Sequence, residues 1–258
     1  MRLLFMVLLL FCTQLVIAQD FSRYQKKTFE STEGSISYRI LYPDNYKPTK
    51  KYPLVVFLHG AGERGNDNEA QLKHGAALFL KEENRKKYPA IVVFPQCPAE
   101  DFWANLKVED KTPREWSYDY AGAPKPALAA AMALVNKLIQ DEGVDSHRVY
   151  ITGLSMGGMG TFEAAYRFPS LFAAALPICG GGNDQGYDNR IKSIPYWVFH
   201  GDADPVVPVR SSRIMVGKLT AVGASVKYTE YPGVGHDSWT NVFAEPDYLA
   251  WMFKQKRK

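Results

Sequence analysis

The chain has 258 residues, 46% hydrophobic and 22% charged, with 31 Lys and Arg against 27 Asp and Glu for a formal charge of +4. No low-complexity linker, repeat or charge block divides it, which suits one α/β unit built on a large sheet. The positive surplus is accounted for by the tail Lys254-Gln255-Lys256-Arg257-Lys258, so the charge does not point to nucleic acid.

The first twenty residues, MRLLFMVLLLFCTQLVIAQD, place Arg2 before an apolar stretch that ends at Val16-Ile17-Ala18. That pattern predicts a signal peptide over residues 1–18, cut after Ala18, and a secreted or periplasmic domain over 19–258. The charge falls to +3 once Arg2 is lost. The apolar run is short for a membrane span of about 20 residues, so no stable membrane anchor is expected. Cys12 has no small residues ahead of it, and lipid attachment there is not expected either.

Beyond the leader, 27–32 and 36–42 read as an opening pair of strands around Glu33-Gly34. Short apolar, β-branched runs at 54–58, 90–94, 149–153, 172–179, 195–200 and 225–231 then read as strands buried on both faces. Helical patterns lie between them at 69–81, 125–141, 157–168, 211–222 and 247–254, with Gly143, Pro169 and Gly223 as stops. Such alternation predicts an α/β fold: a mostly parallel central sheet covered by helices on both faces, with no separate lid domain. Cys97 and Cys179 then fall at the ends of strands separated by two others. They are roughly 14 Å apart at ordinary strand spacing, which predicts free thiols.

Ligands of such sheets sit at the carboxyl ends of the strands, and three of those ends carry reactive groups. The run 149–153 leads into Gly153-Leu154-Ser155-Met156-Gly157, a strand-to-helix elbow in which the crowded flanking positions must be glycine. The run 195–200 leads into Gly201-Asp202-Ala203-Asp204-Pro205-Val206-Val207-Pro208, and the last strand into Gly235-His236. A serine hydroxyl becomes a nucleophile when a histidine accepts its proton and a carboxylate orients that histidine. Ser155, Asp204 and His236 are therefore the candidate catalytic residues, in the chain order of α/β-hydrolases. Asp202 is the rival acid. Asp204 is preferred because Pro205 to Pro208 can return the chain toward the core and aim the carboxylate at the last loop.

An oxyanion needs backbone N–H donors. Met156, directly after the serine at a helix start, supplies one candidate. The glycine-rich loop His59-Gly60-Ala61-Gly62-Glu63-Arg64-Gly65 supplies the other, Ala61, with Gly62 as the alternative and a substrate contact. That loop lacks the spacing of a phosphate cradle. His59, His74, His147 and His200 read as structural. No His or Cys spacing suggests a metal site, and no cofactor is expected.

From about residue 35 to 253 the chain resembles small secreted α/β-hydrolases related to feruloyl and acetylxylan esterases and polyhydroxybutyrate depolymerases, a group that includes phospholipase/carboxylesterases. The blocks carrying the resemblance are "FLHGAGERGNDN", "PQCP", "GLSMGGMGTFEAAYRFP", "PICGGG" and "HGDADPVVP". It implies a Ser155–His236–Asp204 triad working through an acyl-enzyme. The expected substrates are acetyl or feruloyl esters of plant polysaccharide, or short-chain esters. The connection 98–125 carries Phe102, Trp103, Trp116, Tyr118 and Tyr120. These aromatics either stack on a sugar or phenolic ring, with Trp103 as the chosen contact, or pack the connection onto the core. The polar, glycine-rich connection 180–193 would leave the site open. A serine peptidase and a carbohydrate-binding protein that has kept only the fold are the rival readings.

Overall fold

The computed structural model describes residues 20–109 and 115–258. The leader expected over 1–18, with Cys12, lies outside the described residues, as does part of the 98–125 connection. Two antiparallel strands open the chain, β1 (Gln25–Ser31) and β2 (Gly34–Leu41). They are followed by β3 (Tyr52–Leu58) and β4 (Ile91–Pro95). A separate antiparallel hairpin, β5 (Leu106–Glu109) and β6 (Glu115–Tyr118), comes next. The main sheet resumes with β7 (Val144–Leu154), β8 (Ala174–Ile178), β9 (Tyr196–Gly201) and β10 (Val226–Tyr231). Its order is β1-β2-β4-β3-β7-β8-β9-β10, parallel from β4 to β10.

Period-two alternation sends neighbouring side chains to opposite faces of this sheet. Leu54, Val56 and Leu58 of β3 pack with Leu128, Met132 and Val135 of α3 (Pro126–Asp141), Phe162 of α4 (Met156–Arg167) and Met215 and Leu219 of α5 (Arg210–Ala221). Val55 and Phe57 face the other way. They join Leu78 and Phe79 of a short helix at Ala76–Leu80, Val242 of another at Trp239–Ala244, and Leu249 and Met252 of a third at Tyr248–Lys254. Strands buried on both faces need helices on both, and the apolar runs of β3, β4, β7, β8 and β9 meet that need; the run at 225–231, expected to be buried likewise, forms the edge strand β10, none of whose residues is fully buried.

The helix expected over 69–81 is broken. Ala70–Leu72 is a 3₁₀ turn and the α-helix starts only at Ala76. Between them Gly75 has φ +81°, and a Cβ there would stand 2.5 Å from the Phe57 ring. Backbone hand and close approach together forbid a continuous helix. The helices at Glu82–Lys87 and Trp239–Ala244 and the hairpin β5–β6 were not read from the sequence. Cys97 and Cys179 are buried and unpaired, just beyond the ends of β4 and β8 with β3 and β7 between them.

Candidate active site

Ser155 occupies the single residue between β7 and α4, with φ 55° and ψ −118°. The turn is this sharp because the flanking glycines sit against backbone. A Cβ on Gly153 would stand 2.5 Å from the Gly157 carbonyl oxygen, and one on Gly157 would overlap the Leu58 carbonyl oxygen. Ser155 N–H donates to Ile178 O at 2.9 Å, and Met159 N–H donates to Ser155 O at 3.0 Å. The elbow is thereby tied to β8 and to the first turn of α4.

The three groups read from separate strand ends meet here. Ser155 Oγ lies 2.9 Å from His236 Nε2, and His236 Nδ1 lies 2.7 Å from Asp204 Oδ2. Asp204 Oδ1 accepts the N–H groups of Val206 and Val207 at 2.8 and 2.9 Å, so the return of the chain after Pro205 satisfies the buried carboxylate. Burial alone would raise its pKa, but hydrogen bonds from His200, His236, Val206 and Val207 hold it well below the usual carboxylate range. Asp202 does something else: its Oδ1 accepts Gly233 N–H at 2.6 Å. With an ionised carboxylate at Nδ1, the imidazole carries its hydrogen there and presents the Nε2 lone pair to the serine hydroxyl. That arrangement can take a proton from Ser155 and return it to a leaving group.

Met156 is the first residue of α4, and Ala61 opens a 3₁₀ turn at Ala61–Glu63. Among the described residues neither amide N–H has an acceptor. Their loop lies against the elbow, since a Cβ on Gly60 would meet Leu154 Cδ1 at 2.9 Å. Around Gly62 the space is open to 4 Å. His59 anchors the root of the loop: its Nδ1 faces Gly60 O at 2.7 Å and its Nε2 accepts Cys97 N–H at 2.9 Å. His59 thus bonds to loop backbone, as read from the sequence.

Trp103 is not a substrate contact. It is fully buried, its Nε1–H donates to His59 O at 3.1 Å, and its Cβ fills the space beside Gly160. A ring with no exposed surface braces the loop from behind and cannot stack on a ligand. Of the other aromatics, Tyr120 is buried and Phe102 lies under the Arg64 guanidinium. Trp116 and Tyr118 pack with Val207 and Met159. Trp116 and Tyr118 line one wall of a groove of about 260 Å³ with Asn183, Gln185 and Arg210.

Two contacts of the site were not read from the sequence, although His200 bonds to loop backbone at Val207 O as expected of it. Trp239 stands edge-on to His236, ring centroids 5.4 Å apart, and also meets His74 at 5.2 Å. His200 lies 3.3 Å from Asp204 Oδ2. Its place four residues before the acid, at the end of the same strand, was the available signal. Cys179, Asp204 and His236 each bring one potential ligand atom within 4.8 Å of the others. Burial pushes the Cys179 thiol up, so it stays protonated, and the Asp204 and His236 atoms already hold each other.

A family model described as phospholipase/carboxylesterase matches residues 45–246. The chain is 28% identical over 202 residues to a probable feruloyl esterase C of Aspergillus oryzae, across 78% of this chain and 67% of that protein. It is 28% identical over 215 residues to acyl-protein thioesterase 1 of Neurospora crassa, across 71% of this chain and 80% of that one. The solved structure of a thermostable esterase superposes with a TM-score of 0.82 at 41% identity, over 92% of this chain. This chain spans 64% of that esterase's length. A ferulic acid esterase of Anaeromyces mucronatus shares the fold, with a TM-score of 0.65 at 16% identity over 92% of this chain and 93% of that one.

Proposed function

The chain belongs to the phospholipase/carboxylesterase family, and from that premise we propose that it is a serine carboxylic-ester hydrolase working through an acyl-enzyme. The observation that carries this reading is the unbroken line from Ser155 Oγ to His236 Nε2 at 2.9 Å and from His236 Nδ1 to Asp204 Oδ2 at 2.7 Å. Ser155 Oγ attacks the ester carbonyl carbon while His236 Nε2 takes its proton. The N–H groups of Met156 and Ala61 receive the oxyanion, aided by the positive end of α4. The tetrahedral adduct collapses as His236 returns the proton to the departing alcohol. Water, deprotonated by the same imidazole, then releases the acid and regenerates the serine. Asp204 holds the tautomer and steadies the imidazolium throughout.

The substrates we assign are acetyl or feruloyl esters on plant polysaccharide, or simple short-chain esters, met outside the cell after loss of residues 1–18. The relatives named feruloyl esterase support the acyl group. The groove walled by Trp116 and Tyr118 supports a large polar alcohol half, because aromatic faces beside amide side chains suit sugar rings. Among the described residues no helix is long and apolar enough to cross a membrane. The relative named acyl-protein thioesterase makes a thioester the rival substrate.

A panel of p-nitrophenyl acetate, methyl ferulate, acetylated xylan, an S-acyl thioester and a peptide anilide tests this, with a fluorophosphonate probe alongside. Ester turnover and probe labelling, both lost in Ser155→Ala, are expected. Cleavage of the anilide alone would make the chain a peptidase, and an unlabelled Ser155 would leave only a binding protein.

A further inference from the structure

Asp204 lies between two histidines. His236 Nδ1 approaches its Oδ2 from the solvent side at 2.7 Å, and His200 Nε2 approaches the same oxygen from the core at 3.3 Å. His200 is the penultimate residue of β9, is fully buried, and places the same Nε2 2.9 Å from Val207 O. Its Nδ1 lies 2.7 Å from Ser212 Oγ, whose hydroxyl donates to Gly180 O at 3.0 Å. The acceptors around Nε2 fix its hydrogen. Nε2 faces two acceptors and no donor, so it carries a hydrogen. Val207, whose carbonyl takes the His200 hydrogen, is also the residue whose N–H holds Asp204 Oδ1 at 2.9 Å.

We propose that His200 is a positioning residue for ester hydrolysis: its Nε2–H clamps the acid loop through Val207 and shares the Asp204 charge from behind. This rests on the reading of Ser155, His236 and Asp204 as the triad. Without the second donor the carboxylate's charge falls more fully on His236, whose imidazolium then persists to higher pH, while the carboxylate is free to swing. The other titratable groups around the pair are accounted for. Cys179 on β8 stays a neutral thiol. Glu230 of β10, in register with His200, is occupied by Arg213 of α5 and by Tyr228. Asp237 lies next to His236 in the chain.

The test compares His200→Leu and His200→Gln in kcat, KM and the pH profile of kcat/KM. Leucine removes the donor, whereas a glutamine amide can offer hydrogens to both Val207 O and Asp204 Oδ2. We expect His200→Leu to lower kcat roughly tenfold or more with little change in KM, and to move the acidic limb up by about half a pH unit. His200→Gln should recover most of both. A folded His200→Leu protein with a superimposable profile overturns the proposal. If that variant does not fold, the ring N–H signals of the intact protein decide by NMR. A downfield Nε2–H assigned to His200 that moves in Asp204→Asn supports the clamp, and a His200 protonated only on Nδ1 overturns it. Ester turnover that survives Ser155→Ala would instead remove the underlying reading, so the two failures are distinct.

Discussion

The helix that begins at the elbow rests on its neighbouring strand through Gly157 and Leu58, whose carbonyl oxygen occupies the space a side chain on Gly157 would need. Since α4 starts at Met156, this contact sets where the helix axis leaves the sheet and so where the Met156 N–H points.

Gly157→Ala should therefore fail structurally before it fails catalytically. The obstructing atom is backbone in a buried central strand and cannot rotate away, so the cost should reach about 3 kcal/mol or more. Thermal unfolding of whatever soluble protein is recovered checks this. A variant within 1 °C of the parent would show that α4 shifts freely on β3.

On the proposed reading, two aspartates two residues apart separate catalysis from loop structure. Asp204→Asn keeps the shape but loses the acceptor that fixes the His236 tautomer, and kcat should fall about a thousandfold or more. Asp202→Asn touches only the Gly233 N–H and should leave kcat within about threefold. Steady-state rates on p-nitrophenyl acetate read both, and equal losses would return the acid to an open question.

The meeting of Ser155, Asp204 and His236 was legible because each follows a strand whose apolar run is unmistakable, and parallel strands deliver their following loops to one rim. The preference for Asp204 was legible too, because the Pro205 to Pro208 return is what brings two amides onto its carboxylate. What the sequence hid depends on partners far along the chain. Gly75 breaks its helix partly because Phe57 stands over it, and nothing near residue 75 says so. Trp103 has the composition of a rim aromatic, but its ring is claimed by His59 and Gly160, 44 and 57 positions away. His200 reads as one more strand-end histidine until the loop folds its own acid back against it.

Ser155 holds a positive φ that a non-glycine residue adopts only under strain. Ser155→Ala and Ser155→Gly both lose the bond to His236 and should both be inactive, but only glycine relaxes the backbone. Glycine's extra freedom in the unfolded chain offsets part of that gain, leaving the Gly variant more stable than the Ala variant by about 1 kcal/mol, or about 2–4 °C. Differential scanning calorimetry of the two distinguishes stored strain from a conformation that alanine accepts without cost.

The last prediction concerns acid and the root of the loop that carries Ala61. His59 is nearly inaccessible, and burial holds its pKa down to about 4 from the ordinary 6.5, although its bond to Gly60 O pulls the other way. Geometry agrees with that direction: Nδ1 donates to Gly60 O while Nε2 must stay bare to accept Cys97 N–H. Protonation would set two N–H groups against each other inside the core. As pH falls, the unfolded chain takes up this proton first, so the folded state loses ground. The stabilisation is present in full above about 6.5, erodes below it, and is exhausted once pH drops through about 4. The linked loss is about 3 kcal/mol. Urea midpoints at pH 7, 5.5 and 4 should therefore fall more steeply for the parent than for His59→Gln, whose side chain does not titrate. Half-buried His74, also held down by burial, contributes to both curves and cancels in their difference. Parallel curves would mean that the His59 site admits the charged ring, and the loop that carries Ala61 would then have to move with pH.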